Sequence, residues 1–370
     1  MNHLRFGRRR FLWYAGLAST ATVASACAPA APTPVPPTDT PAPAAEATPT
    51  PAEAEAPTTR YNEAPDLAAL VAEGKLPPVD ERLPKEPLVI EPVEEIGQYG
   101  GVWRQLHMGT VDRWQNSYKT AEYFGKFDPD GVIQPNIAKG WEFSEDGSSI
   151  TIYLRDGMKW SDGEPFTVDD VMFWYEDVVL NDELSPTKPS QLKRAGELGK
   201  VEKVDDYTVK ITWVQPYGAF YDHLSTFRMF QPAHYLKKFH PKYASKEELD
   251  AAMAEEGFDT WVDLFGSKTA FADNPGTPDV MPWIPTNHVD QPIQVWQRNA
   301  YYYKVDTAGN QLPYIDRIER TLLPDAEAIL LKAIAGDADF ESRRIENVQN
   351  YAVVKEHEEK GDYRVILEDN

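Results

Sequence analysis

Apolar and polar residues alternate strictly over residues 149–155. Ile150, Ile152 and Leu154 share one side; Thr151 and Tyr153 share the other. That period of two predicts a half-buried strand. Glu145-Asp146-Gly147 predicts the turn before it, since Gly accepts a positive φ. A second turn is expected at Asp162-Gly163. The period then changes, with Val171, Trp174, Tyr175 and Val178 on one helical face. Thr167 is placed to cap that helix and Asp170 to reach back as in a capping box. Phe166 and Val171 are placed to clamp its entry. Alternation returns over 204–213, where Tyr207, Val209, Ile211 and Trp213 oppose Thr208, Lys210 and Thr212. With a turn at Asp205-Asp206, this strand is expected beside 149–155 in a small antiparallel sheet.

Elsewhere the pattern is plainer. Residues 66–74 predict a short helix stopped by Gly74, and Pro-rich extended chain follows. A strand is expected over 102–108. Residues 181–199 read as a polar connection. Ser245 and Glu248 form a capping box for a helix to about Glu256, and 258–265 predicts a second short helix. After a Pro-rich loop at 273–285, strands are expected over 292–301 and 318–323. Asp325 caps a helix with Ile329, Leu330, Ala333 and Ile334 on one face, stopped by Gly336. A strand opening at Asp339-Phe340 would complete a βαβ unit. Residues 347–360 predict a helix and 363–367 a last strand. A strand that ends the chain without a cap predicts a truncated second lobe.

The stretch 138–171 carries Ala138, Trp141, Ser144, Asp146-Gly147, Leu154-Arg155, Gly157, Trp160, Asp162-Gly163, Pro165-Phe166-Thr167 and Asp170-Val171. This series resembles the signature of the family 5 extracellular solute-binding proteins. Those are the oligopeptide-, dipeptide-, nickel- and oligosaccharide-binding components of ABC importers. A second stretch resembles the family too. It runs from Arg298-Asn299 through Val305-Asp306 to Gly309-Asn310-Gln311-Leu312-Pro313-Tyr314-Ile315-Asp316. Ala300 stands there where the family has Pro, and Tyr303 where it has Trp. The Gly100-Gly101 entry, the 204–211 strand and Pro232-Ala233-His234 fit as well.

The resemblance implies an α/β, two-lobed periplasmic-binding-protein-like fold of type II, with an extra small antiparallel subdomain and a second lobe incomplete in this chain. It divides the chain into a first lobe over 97–316, containing the subdomain at about 112–230, and the start of a second lobe over 317–370. Residues 61–96 form a transitional segment. The loop after the first strand, 109–118, lies beside the cleft in the family, so Trp114, Asn116 and Tyr118 are candidate ligand contacts. Trp283 and Trp296 are candidate cleft residues or core. The implied activity is reversible capture of a peptide or an oligosaccharide by hinge closure, with delivery to ABC permease subunits and no cofactor.

The N-terminus reads as an export signal. Arg5, Arg8, Arg9 and Arg10 precede a short apolar run at 11–23, and Gly7-Arg8-Arg9-Arg10-Phe11-Leu12 resembles a twin-arginine signal. Ala24-Ser25-Ala26-Cys27 resembles a lipobox, which marks residues 1–27 for removal up to Cys27 and lipidation there. Cys27 is the one cysteine, so no intramolecular disulfide can form. Residues 28–60 are rich in Pro, Ala and Thr and are expected to be a disordered spacer between the anchor and the folded body.

The chain has 370 residues and a net charge of −22. That acidity argues against nucleic-acid partners and against adhesion to anionic lipid by charge; it suits an exported monomer. Asp128-Pro129-Asp130-Gly131 has the look of a calcium loop, but no bidentate acid follows at the required spacing, and a hairpin turn is expected instead. His234 has no nucleophile beside it by motif. Asp162 and Glu164 would be the carboxylates of an alternative reading, a secreted glycan hydrolase. A surface sensor or adhesion module on the same fold is a third. The Trp content and the Asn310-Gln311-Leu312-Pro313-Tyr314 version of the hinge tilt the expected ligand toward sugar.

Overall fold

The computed structural model describes residues 59–115 and 121–367. Fourteen strands occur among them. They are β1 Leu88–Ile90, β2 Val102–His107, β3 Gly125–Phe127, β4 Ile133–Pro135, β5 Ala138–Phe143, β6 Ser149–Leu154, β7 Lys193–Arg194, β8 Glu197–Leu198, β9 Lys200–Asp205, β10 Thr208–Thr212, β11 Trp283–Pro285, β12 Ile293–Arg298, β13 Lys304–Asp306 and β14 Arg317–Leu322.

The alternating stretch forms a four-stranded antiparallel sheet in the order β5-β6-β10-β9. Ile150 pairs with Ile211 and Ile152 with Val209, so the apolar sides coincide. Ile150, Ile152 and Leu154 are buried. Each contributes about 1.5–3 kcal/mol of apolar burial. Against that face pack Trp160, Phe166 and Phe230, whose rings meet edge-on or tilted at 5.1–6.1 Å. The helix Val168–Phe173 starts as its sequence dictates. The Thr167 Oγ1 accepts the Asp169 N–H at 3.2 Å, and the Thr167 N–H donates to Asp170 Oδ2 at 3.0 Å. After Phe173 the helix widens into a π-helical stretch, Trp174–Val179. Pro129-Asp130-Gly131 is the turn of the β3–β4 hairpin, and the Asp128 carboxylate accepts the N–H groups of Asp130 and Val132.

A second four-stranded sheet has the order β11-β12-β14-β2, with β14 and β2 parallel. Strand β14, which the sequence pattern assigns to the start of a second lobe, therefore lies between β12 and β2. One face of this sheet buries Trp283, Trp296 and Ile318. The segment 61–96, expected as transitional, is folded onto the body. Val79 and Leu83 are buried against Val305, and β1 pairs in parallel with β13. Arg82 is fully enclosed. Its Nε donates to Pro77 O at 3.0 Å and its Nη1 to Gln311 Oε1 at 3.0 Å, with further bonds to Ala300 O and Glu63.

Several expected elements differ. Residues 200–205 add a strand, β9, which the pattern hides because Val201 alone on it is buried. The expected strand at 339–340 does not form. The Asp339 N–H reaches Arg104 O at 3.0 Å, but its own carboxylate takes the Arg104 N–H at 2.6 Å, which ends the ladder after one backbone bond. The βαβ unit is thus incomplete: β14 and the helix Ala326–Ile334 are present, the second strand is not. The helix expected over 347–360 is shorter, Tyr351–Glu356 after one 3-10 turn. Residues 363–367, expected as a last strand, form no strand. The capped helices hold: Ser245 and Glu248 exchange both capping bonds before Lys246–Glu256, and Asp325 accepts the Ala328 N–H at 2.8 Å.

Candidate functional site

In open α/β sheets, ligands settle outside the carboxyl ends of parallel strands. Here that edge belongs to β2 and β14. Strand β2 ends at His107, whose Nδ1 accepts the Gly109 N–H at 3.1 Å. The chain then turns through the 3-10 helix Gly109–Gln115. Asp112 anchors this turn. Its carboxylate accepts the Met108 N–H at 2.9 Å, Arg343 Nε at 2.6 Å and Arg344 Nη2 at 2.6 Å. The carboxylate is fully enclosed, while the two arginines keep partial contact with solvent. Burial pushes the Asp112 carboxyl up, but Arg344, Arg343 and the Met108 amide outweigh it and hold it below its ordinary value. Arg344 has φ 74, the left-handed region that non-glycine residues enter rarely.

Below the turn lies a row of polar side chains across the sheet. Gln294, Arg320 and Gln105 stand opposite one another on β12, β14 and β2. Arg320 Nη1 donates to Gln294 Oε1 at 2.7 Å and Nη2 to Asp112 O at 2.9 Å. All three side chains are buried. Burial brings the Arg320 guanidinium down to about 10. His107 is pushed down to about 4 by burial and by the Arg320 charge. The row is not fully paired. Among the described residues, both ends of the Gln105 amide, His107 Nε2, Arg320 Nε and Trp296 Nε1 have no hydrogen-bond partner. Unpaired buried polar atoms cost about 1–3 kcal/mol each. A core tolerates such a set where polarity itself is used. The row lies inside the sheet, shut off from solvent, and braces the turn at the strand ends through the bond from Arg320 to Asp112 O.

Trp114 contributes its backbone to the 3-10 turn that Asp112 anchors. Its side chain, and Asn116 and Tyr118 altogether, lie outside the described residues, as does Cys27. Trp283 and Trp296 lie in the sheet core, not on an open wall. Trp283 Nε1 donates to Ile315 O at 2.9 Å, and its ring meets Trp103 edge-on at 5.9 Å. Trp296 is fully enclosed. Asp162 is paired with His234 Nε2 at 2.7 Å, and Glu164 is exposed on the same turn. The Arg343-Arg344 doublet was visible in the sequence, but nothing there tied it to Asp112, more than two hundred residues earlier. No group of three or more potential metal ligands occurs among the described residues. No helix among them is long and apolar enough to cross a membrane.

Residues 132–365 match the model of the bacterial extracellular solute-binding proteins, family 5, middle region. The chain belongs to that family. The periplasmic alpha-galactoside-binding protein of Rhizobium meliloti is 34% identical over 304 residues, covering 76% of this chain and 41% of the relative. Among solved structures, an oligopeptide-binding protein OppA superimposes with a TM-score of 0.79 at 43% identity, over 83% of this chain and 49% of that one. The periplasmic binding protein MelB of Agrobacterium fabrum C58, in complex with stachyose, gives a TM-score of 0.66 at 30% identity, over 82% and 46%. The fold of this family 5 chain is accordingly α/β and periplasmic-binding-protein-like. The chain spans less than half the length of each of these three relatives.

Proposed function

We propose that this family 5 chain is part of an exported solute-binding lipoprotein that captures an oligosaccharide or oligopeptide and hands it to an ABC permease. The observation that carries the proposal is the likeness, over more than four fifths of the chain, to an oligopeptide-binding protein and to a stachyose-bound protein. The solute sits at the carboxyl edge of β2 and β14, against the turn that Asp112 anchors. Trp114, Asn116 and Tyr118 are its proposed contacts, on the family resemblance of the segment 109–118. Trp283 and Trp296 support that edge from the core.

Closure of a second lobe over the solute supplies the affinity, through contacts made in the closed state alone. The solute leaves chemically unchanged. Cys27, lipidated after export, holds the monomer at the outer face of the cytoplasmic membrane, with 28–60 as the spacer. The test is calorimetric titration of the full-length protein with stachyose and with a pool of oligopeptides, each followed by mass spectrometry of the solute. Binding of one class with an unaltered mass is the expected outcome. Cleaved stachyose would establish the hydrolase reading instead.

A further inference from the structure

Residues 339–344 run along the outer edge of β2, the last strand of its sheet, yet main-chain pairing barely holds them there. Among the described residues one backbone bond joins the two, from the Asp339 N–H to Arg104 O at 3.0 Å. The other ties are made by side chains. The Asp339 carboxylate accepts the Arg104 N–H and Arg104 Nη2, each at 2.6 Å, and Glu341 Oε2 accepts the Leu106 N–H at 3.3 Å. Phe340 meets Trp103 edge-on at 6.5 Å. The Arg104 and Asp339 side chains are both more than a third exposed, and such pairs add little to stability. The tie at the far end is of another kind. Asp112 Oδ1 accepts from Arg343 Nε and from Arg344 Nη2, each at 2.6 Å, and the Asp112 side chain is fully enclosed. Stripping a buried carboxylate of its cations costs far more than parting an exposed pair. The position of the segment therefore depends chiefly on Asp112. Arg344 meets it with φ 74, a left-handed conformation that an arginine keeps only where its surroundings impose it.

The same residue fixes the turn Gly109–Gln115. Its Oδ2 accepts the Met108 N–H at 2.9 Å, and its main-chain oxygen accepts from Arg320 Nη2 at 2.9 Å. Arg320 donates at the same time to Gln294 Oε1 at 2.7 Å, which seats the joint on β12 and β14. A shift of the turn carries the carboxylate with it, and with the carboxylate the two arginines. We propose that Asp112 is a positioning residue that couples the solute to residues 339–344. The proposal rests on the solute site proposed above for the carboxyl edge of β2 and β14. A solute against the turn immobilises it; the turn holds the carboxylate, and the carboxylate holds Arg343 and Arg344. The enclosed carboxylate does not itself touch the solute. Arg343 and Arg344 are 41% and 29% exposed, so water competes for them whenever the turn fluctuates. The solute shifts that equilibrium because it binds the clamped turn better than the loose one. Such coupling is reciprocal: loosening the arginines from Asp112 weakens the solute by the same factor.

The test is hydrogen exchange of the full-length protein alone, with stachyose and with a pool of oligopeptides. It compares the wild type with Arg343→Gln/Arg344→Gln and with Arg343→Lys/Arg344→Lys. In the wild type, the probe that binds is expected to slow exchange at 109–115 and at 339–344 alike, by about fivefold or more. The Gln pair should keep the slowing at 109–115, lose it at 339–344, and bind the probe about fivefold more weakly. The Lys pair restores the cations and should recover both. Shielding by a second lobe would act on the wild type and the Gln pair equally, so the difference between them isolates Asp112. A merely structural role would lower the melting temperature of the Gln pair and leave its solute-dependent slowing at 339–344 in place. Should the Gln pair fail to fold, Arg344→Gly carries the test, since glycine accepts the left-handed backbone and only the tie to Asp112 is lost. Slowing at 109–115 without slowing at 339–344 in the wild type overturns the coupling and leaves the solute site standing. Wild-type affinity in the folded Gln pair overturns the coupling too. Binding of neither probe, or binding without slowing at 109–115, removes the solute site and the proposal with it.

Discussion

The Lys304 ammonium lies 2.9 Å from both oxygens of the Glu122 carboxylate, and neither side chain is more than 5% exposed. The same carboxylate accepts from Tyr302 OH at 2.6 Å, Tyr303 OH at 2.8 Å and Asn136 Nδ2 at 2.6 Å. Burial opposes ionisation of Glu122, but Lys304 and these donors outweigh it and hold its carboxyl below the ordinary value. The contact joins β13 to the chain entering the antiparallel sheet. Lys304→Met leaves an enclosed carboxylate without its cation and is expected to cost about 3–5 kcal/mol. Glu122→Gln should cost a similar amount, and the double variant clearly less than the sum, because no lone charge remains. Urea unfolding of the four proteins measures this.

Asp170 gives a pH dependence of known sign. Burial raises its carboxyl from 3.8 to about 6, although Thr167, Ala233 and Trp160 all donate to it. The protonated form thus favours the folded state. Its contribution is full below pH 3.8, where the unfolded group is also protonated, and is lost as pH rises through 6. The amount is on the order of 3 kcal/mol. The wild-type minus Asp170→Asn difference in melting temperature should fall across that window.

His107 works in the opposite direction. Its folded value of about 4 lies below the ordinary 6.5, through burial and then the Arg320 charge. Its contribution is full above pH 6.5 and is lost as pH falls through 4. His107→Gln should remove that slope from the melting profile. A variant with an unchanged profile would show that His107 charges freely in the folded protein.

Asp112 pins a distant segment. Asp112→Ala should release Arg343 and Arg344, letting Arg344 leave its left-handed conformation. The expected cost is about 1–3 kcal/mol, reduced because both arginines reach solvent. Hydrogen exchange at residues 339–344 should accelerate more than at residues 149–154.

Alternation and capping were legible because each is written within a few residues. Ile150, Ile152 and Leu154 declare their strand, and Thr167, Ser245 and Asp325 declare their helix starts. Strand β9 was hidden because an edge strand with one buried side chain shows no apolar period. The strand at 339–340 was expected as the second strand of a βαβ unit, but the Asp339 carboxylate competes for the edge of β2. The polar row of Gln105, Arg320 and Gln294 was invisible for a different reason. Residue type predicts exposure for such side chains, and pairing across three strands that are far apart in sequence reverses it. The family signature located the scaffold and left the role of Asp112 unmarked.

The enclosure of Arg82 bears on where the polypeptide can be shortened. A version starting at Gly97 would strip the guanidinium from Ala300 O and from the Gln311 amide, leaving polar groups stranded in the interior. It would also remove β1 and bare one side of β13, a row of main-chain groups open to pairing with a neighbouring molecule. Such a trimmed protein should be prone to self-association, so the apparently dispensable stretch before Gly97 acts as a guard against aggregation.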